Sequence, residues 1–388
     1  MKNKIENYLN TLDLDVRKTG NARFFDQKVQ PDVLSAVCEC ILNCINISEE
    51  FTNRDIKECK FSNEIVTEIF NKPNISVADS EFNKFFGQPI KMLAYCGLLS
   101  ENKDKKPYKY TVVNKEFIEY ISLSDRNAFY FISVYLEKVL KDSSIWSDFD
   151  KFFKIQDKSS LYELRDKYVI FIKQYTKITK DKEPIRIFNP LLRTIAFKLK
   201  KLGTNDGEIS EINYNDLLYN QPNWRDFKKG KSITREEFNN NFIEDGIDNK
   251  KSYDYYISKS KKFVKSIHPY SEIHRFDAYP AIQAHHIFLS SQFPELADKP
   301  ENIIAITPNQ HFYRAHPNNK TSVIDKSYQV ICLISKLDSI ENDYRNDLGN
   351  YSKESFINVI NIGLEMNLHH SIDFEELKHV IIKNLVTI

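Results

Sequence analysis

Glycine and proline are scarce, nine and thirteen among 388 residues. Both interrupt regular structure, so their shortage favours a helix-rich chain with short connections and excludes collagen-like or low-complexity architectures. No stretch reaches the roughly 18 apolar residues of a membrane-crossing helix. The N-terminus, Met1 to Asp15, lacks the apolar centre of a signal peptide. A cytoplasmic protein is therefore expected. An excess of either charge is also missing: 55 basic residues face 54 acidic ones. That balance excludes a uniformly basic, histone-like coat, yet it permits a basic face offset by an acidic one elsewhere. Cys38, Cys40, Cys44, Cys59, Cys96 and Cys332 have no zinc-ribbon spacing and are expected to be buried free thiols of a reducing compartment.

What is present suffices for a core. Hydrophobic residues make up 41% of the chain and charged residues 28%, so it is neither disordered nor fibrous. At roughly 150 residues per domain the length suggests two to three domains. Pro31 to Asn43 opens on a proline and repeats apolar residues at helical spacing. Thr52 with Asp55 reads as a helix N-cap for Asn53–Cys59, and a further helix is expected over Asn63–Phe70. Glu81 to Tyr95 is helical in pattern, with an interruption near Gly87–Pro89. Residues 97–113 then read as two short strands around a lysine-rich turn. Helices followed by a basic hairpin are the order of a winged helix, which enters the DNA major groove with one helix and touches the backbone with the hairpin. Lys84, Gln88 and Lys91 are the exposed candidates on that helix, and Lys103, Lys105, Lys106 and Lys109 on the wing.

The middle of the chain is helical and basic. Ser124 caps an amphipathic stretch, Asp125 to Lys141, and further helices are expected over Leu161–Tyr175 and Pro190–Leu202. Between Lys173 and Lys201 nine basic residues oppose two acidic ones, a run expected to face nucleic acid. A second run, Lys250 to Lys265, interleaves six lysines with Tyr253, Tyr255, Tyr256 and Phe263, a mixture suited to phosphate contact and base packing. The breaker cluster Gly203–Gly207 marks an expected domain edge. Residues 213–241, with Trp224, Arg225, Lys228, Lys229 and Lys231, read as a connecting region.

The chemistry concentrates in residues 278–317, AYPAIQAHHIFLSSQFPELADKPENIIAITPNQHFYRAHP, which hold four of the nine histidines. Ala281–Phe288 is strand-like and delivers His285 and His286 to opposite faces. Asn302–Ile306 is a second strand, and Thr307-Pro308 starts a helix, Pro308–Ala315, that carries His311.

This strand–loop–strand–helix order, with His-His, Asn, His and His in sequence, resembles the HNH, or ββα-metal, nuclease family. The resemblance implies metal ligation by His285 and His311, a general-base role for His286, and a loop braced by Asn302. His316 is the implied last ligand, although the family places it four residues after the first helix histidine, where this chain has Ala315. Five residues turn an ideal helix about 140° too far round, so ligation requires a bulged or ending helix. Arg314 is a candidate phosphate clamp. A divalent ion is implied, Mg2+ foremost, with Mn2+ and Zn2+ as alternatives.

The expected fold is α+β and mostly helical: a winged-helix-like DNA-binding domain over 1–122, a basic helical middle over 123–203, and an HNH nuclease domain with C-terminal helices over 204–388. This arrangement resembles a type II restriction endonuclease, which implies metal-dependent, sequence-specific hydrolysis of double-stranded DNA to 5′-phosphate and 3′-hydroxyl ends. The segment Ala22–Val33 resembles the start of such enzymes as well. A homodimer and a cognate DNA methyltransferase are the implied partners. The alternatives are another HNH DNase, modification-dependent or acting in phage defence, and a DNA-binding regulator with an inactive nuclease fold.

Overall fold

A computed structural model describes residues 1–46, 49–70, 75–220, 248–273, 279–316 and 324–386. The chain is α+β and mostly helical, with short strands. It forms two compact units, Met1–Asn249 and Lys250–Ile388. The expected edges at 122/123 and 203/204 therefore fall within the first unit and beyond it no boundary lies before 249. The physical reasons are local. Ser124 is an N-cap that joins helices Lys115–Leu123 and Asp125–Asp142 end to end, both packed on helix Pro31–Cys44. At the second edge, Asp206 (φ 56°) and Gly207 (φ 82°) form the tight turn between strands β4 (Gly203–Asn205) and β5 (Glu208–Ser210). A primed turn of this kind punctuates a hairpin and does not release a domain.

In the first unit, helix Pro31–Cys44 is the central rod, with Val33, Leu34, Val37 and Ile41 fully buried. Thr52 and Asp55 make a reciprocal capping box that starts helix Asn53–Glu58. Phe51–Thr52 also form a short strand, β1. Helix Ile75–Tyr95 runs through Pro89 without the expected interruption. Proline forfeits one helical hydrogen bond, but Phe82, Phe85, Phe86, Ile90, Met92 and Leu93 bury that helix on both sides of it. Strands β2 (Leu99–Asn102) and β3 (Lys109–Val112) pair antiparallel, Leu99 opposite Val112, and β3 lies between β1 and β2. Helices Lys158–Tyr175 and Lys182–Leu199 begin earlier than their sequence pattern indicated.

Two expectations about side chains are corrected here. Cys44 and Cys59 are joined in a disulfide, whereas Cys38, Cys40, Cys96 and Cys332 are buried free thiols. The two Cα atoms are 5.9 Å apart although the residues are separated by 15 in sequence, an approach that no local spacing signals. The first basic run is not one solvated face. Arg193 is 4% exposed, Lys173 pairs with Asp181 and Lys198 with Glu137, each at 2.7 Å. Lys177, Lys180, Lys182, Arg186, Lys200 and Lys201 remain exposed. The aromatic and basic residues Trp224, Arg225, Lys228, Lys229 and Lys231 lie outside the described residues.

The second unit is built on an antiparallel hairpin, β6 (Gln283–His286) with β7 (Ile303–Ile306). Alternation along β7 buries both of its faces. Ile304 and Ile306 enter a core with Leu333, Leu337, Phe356, Ile360 and Leu377 from the three C-terminal helices, Lys326–Arg345, Lys353–Gly363 and Phe374–Val386. Ile303 and Ala305 pack instead on Phe263 and Val264 of helix Asp248–Ile267. A two-stranded ribbon is marginal alone, so this sandwich of helices is what holds the hairpin.

Candidate metal centre

The hairpin register decides which way the two adjacent histidines point. His285 stands opposite Ile304, and His286 opposite Ile303. Side chains of opposed residues share a face, so His285 projects with Ile304 and His286 with Ile303, towards helix Asp248–Ile267.

After β7, Thr307 starts the helical segment by a reciprocal cap. Its Oγ1 accepts from the Gln310 amide at 3.2 Å, and the Gln310 Oε1 accepts from the Thr307 amide at 2.9 Å. The segment then widens into a π-helix over Gln310–Ala315. Hydrogen bonds from i to i+5 bring the fifth residue back towards the face of the first. This widening accommodates the spacing of His311 and His316 that an α-helix would not.

His285, His311 and His316 consequently converge. One ring nitrogen from each lies within 4.8 Å of the others. The ring centroids are 4.9–5.4 Å apart and each pair is near perpendicular, the arrangement of three imidazoles around a common point. His285 is 3% and His316 4% exposed. Burial, reinforced by the neighbouring histidines, pushes the His285 imidazole well below its ordinary range, and burial lowers His311 as well. Neutral imidazoles are the form that binds metal. His311 Nδ1 is buried without a hydrogen-bond partner. An orphaned ring nitrogen beside two other imidazoles fits a cation site better than a packed polar cluster, in which such atoms are paired.

His286 is differently employed. Its Nε2 donates to the Ala297 carbonyl at 2.9 Å, which leaves Nδ1 as the acceptor of the neutral ring. Burial, with the charge of Lys261, pushes this imidazole down to about 4, against the opposing effect of the Ala297 carbonyl.

Asn302 is fully buried at the end of the intervening loop. Its side chain accepts from the Phe288 amide at 2.8 Å and donates to the carbonyls of Phe288 and Leu296 at 2.9 and 3.1 Å. The Ile287 amide adds a bond to the Asn302 carbonyl. Thus Asn302 ties both ends of the loop together and fixes where β6 ends. Asn302→Ala should leave three buried backbone groups without their partner and lower the stability of the second unit by about 2–4 kcal/mol. Denaturant unfolding would check this, and a loss under about 1 kcal/mol would contradict the bracing role.

Arg314 is exposed, one turn after His311. Of the other candidates, Lys84 is exposed and 3.5 Å from Glu81, and Lys91, Lys105 and Lys106 are exposed. Gln88 is not the exposed residue that was expected. It is half-buried, and its Oε1 accepts from the Lys28 amide at 2.8 Å, so its carbonyl serves the fold. Two wing lysines are engaged, Lys103 with Glu101 and Lys109 with Glu50. The residue overlooked in sequence is Lys261. In sequence it is one lysine of a basic run, yet its charge reaches His285, His286 and His311. Its helical spacing from Val264 was the available signal.

No family model matches the sequence, no curated protein matches it, and no solved structure matches the chain.

Proposed function

We propose that the chain is a nuclease of the HNH type, acting as a type II restriction endonuclease on double-stranded DNA. The observation that carries this reading is the convergence of His285, His311 and His316 beside His286, on a strand–loop–strand–helix unit braced by Asn302. His285, His311 and His316 would hold a divalent ion. When bound, such an ion supplies Lewis-acid polarisation of a phosphodiester and stabilises the departing oxygen. Three imidazoles suit a transition ion such as Zn2+ or Mn2+, whereas Mg2+ prefers oxygen ligands and rests on the family resemblance alone.

His286 Nδ1 would accept a proton from the attacking water, with the Ala297 carbonyl orienting the ring through Nε2. Attack of that water on phosphorus breaks the bond to the 3′ oxygen, leaving 5′-phosphate and 3′-hydroxyl ends.

Target recognition is proposed for the first unit. Its element order, helix Pro31–Cys44, β1, short helices, helix Ile75–Tyr95, then β2 and β3, with β3 central, supports a winged helix. Lys84 and Lys91 on the helix, and Lys105 and Lys106 at the hairpin turn, are the proposed DNA contacts, with Arg314 as a proposed phosphate clamp. One site cuts one strand, so a homodimer is proposed for double-strand cleavage. Among the described residues no helix is long and apolar enough to cross a membrane. A restriction role would place the protein in the cytoplasm with a methyltransferase protecting the same sequence.

The test is incubation with unmodified and with methylated plasmid, in EDTA and with Mg2+, Mn2+ or Zn2+. Discrete bands from unmodified DNA, dependent on metal, are expected. Cutting confined to methylated DNA would replace the reading with a modification-dependent nuclease. Retarded plasmid without cutting under every ion would leave a DNA-binding regulator.

A further inference from the structure

Helix Asp248–Ile267 lies along the face of the hairpin that His286 shares. Phe263 and Val264, both fully buried, pack on Ala281, Ile303 and Ala305. Ser260 Oγ donates to the Asp298 carbonyl, next to the Ala297 carbonyl that receives His286. Tyr253 OH donates to the Ser290 carbonyl at 3.2 Å, fixing the helix at a second point on the same loop. Lys261 directly follows the Ser260 anchor and lies one turn before Val264, and i, i+3 residues occupy one side of a helix.

Lys261 is unlike its neighbours. Lys262 and Lys265 are exposed, whereas Lys261 is half-buried. Among the described residues no carboxylate pairs with it, although most other partly buried lysines of the molecule have one. Burial, with Lys265, holds its ammonium below the ordinary lysine range. A half-buried cation without a counterion is destabilising where it stands. Its side of the helix packs on the face of the hairpin that His286 shares, and its charge reaches His285, His286 and His311.

We infer that Lys261 is a catalytic residue that binds a non-bridging oxygen of the scissile phosphodiester, opposite the three-histidine centre. The phosphate supplies the missing counterion, and the lysine stabilises the charge that builds on the phosphoryl oxygens as water attacks. A preplaced cation acts most strongly in such a poorly solvated position. This inference rests on the nuclease reading.

The experiment compares wild type, Lys261→Met, Lys261→Arg and the exposed control Lys154→Met, which lies outside both basic runs, as full chains on supercoiled plasmid with Mn2+. Lys261→Met is expected to cut about 10²-fold more slowly, Lys261→Arg to recover most of that loss, and Lys154→Met to stay within about threefold of wild type. Filter binding to linear plasmid in EDTA should show the salt dependence of Lys261→Met shallower by about 0.9 in log–log slope, one phosphate contact. Its thermal melt should match or exceed that of wild type, because an unpaired cation has been removed from a buried position.

Cleavage by Lys261→Met within about threefold of wild type, or an unchanged salt slope, would overturn the inference while the nuclease reading stands. Slow cleavage accompanied by a lowered melt that Lys261→Arg also shows would mark a structural lysine and overturn it equally. A wild-type protein that cuts no plasmid under Mg2+, Mn2+ or Zn2+ would remove the nuclease reading and this role with it.

Discussion

His286→Ala should reduce plasmid cleavage by about 10²–10⁴-fold, the span a positioned general base contributes, while metal uptake stays at the wild-type level. The separation of the two effects follows from the hairpin. His286 points to the opposite face of β6 from His285, and its Nε2 is committed to the Ala297 carbonyl. It therefore has no place among the converging nitrogens of His285, His311 and His316. His285→Ala, by contrast, removes one of those nitrogens and should lose both metal and activity. The pair of variants can be read by single-turnover cleavage alongside calorimetric titration with Mn2+ or Zn2+. If His286→Ala cuts at a rate near that of wild type, another group takes the proton from water. If it loses metal, the assignment of faces is wrong.

The residues that make this experiment possible were visible in the sequence for a physical reason. Adjacent histidines on a strand, a Thr-Pro helix start and an asparagine before a short apolar run are each local signals, and local rules govern them. The Thr307–Gln310 cap and the Asn302 bonds are short-range consequences of that same pattern. His316 was visible only as a mismatch, since five residues do not return to one face of an α-helix. The π-helix over Gln310–Ala315 removes the mismatch, and nothing in the side-chain pattern announces it.

What stayed illegible depends on tertiary approach. The Cys44–Cys59 disulfide needs the ends of two helices to meet, the disposal of Gln88 needs the Lys28 amide sixty residues away, and Lys261 needs the packing of Phe263 and Val264 on the hairpin. Charge runs were the least informative signal. Within one run Arg193 is buried and Arg186 is exposed, although seven residues place them on the same side of helix Lys182–Leu199; what packs on each turn, and not composition, sorts them.

The second large effect is expected beneath the hairpin. Glu272 and Lys336 have fully buried side chains. The Lys336 Nζ donates to both Glu272 carboxylate oxygens at 3.2 Å and to the Tyr351 hydroxyl at 2.7 Å. The His268 ring shares a hydrogen bond with the same hydroxyl at 2.8 Å. Glu272 also brackets Ala305 in the middle of β7: its Oε1 accepts from the Ala305 amide, and its own amide donates to the Ala305 carbonyl. Burial alone would raise the Glu272 carboxyl. Lys336, His268 and the Ala305 amide outweigh it and hold the carboxyl below its ordinary value. Breaking such a pair from one side leaves an uncompensated buried charge, so Lys336→Met should destabilise the second unit by about 3–5 kcal/mol.

The sign of the pH dependence in that variant is specific. Without Lys336, burial dominates and the folded-state pKa of Glu272 moves above its unfolded value. Stability tied to a raised pKa is fully present at low pH and is lost as pH rises through the folded pKa. The penalty for Lys336→Met should accordingly be larger at about pH 8 than at about pH 5. Adding Glu272→Gln removes the stranded charge yet keeps an acceptor for the Ala305 amide, so the double variant should be more stable than Lys336→Met alone at the higher pH. Hydrogen exchange of Gln283–His286 and Ile303–Ile306 in the full chain would follow the effect at the strands themselves. A Lys336→Met penalty below about 1 kcal/mol, or one that does not change with pH, would mean that the network carries no charge. In that case the hairpin that presents His285 and His286 would owe its stability to the apolar layers on either side.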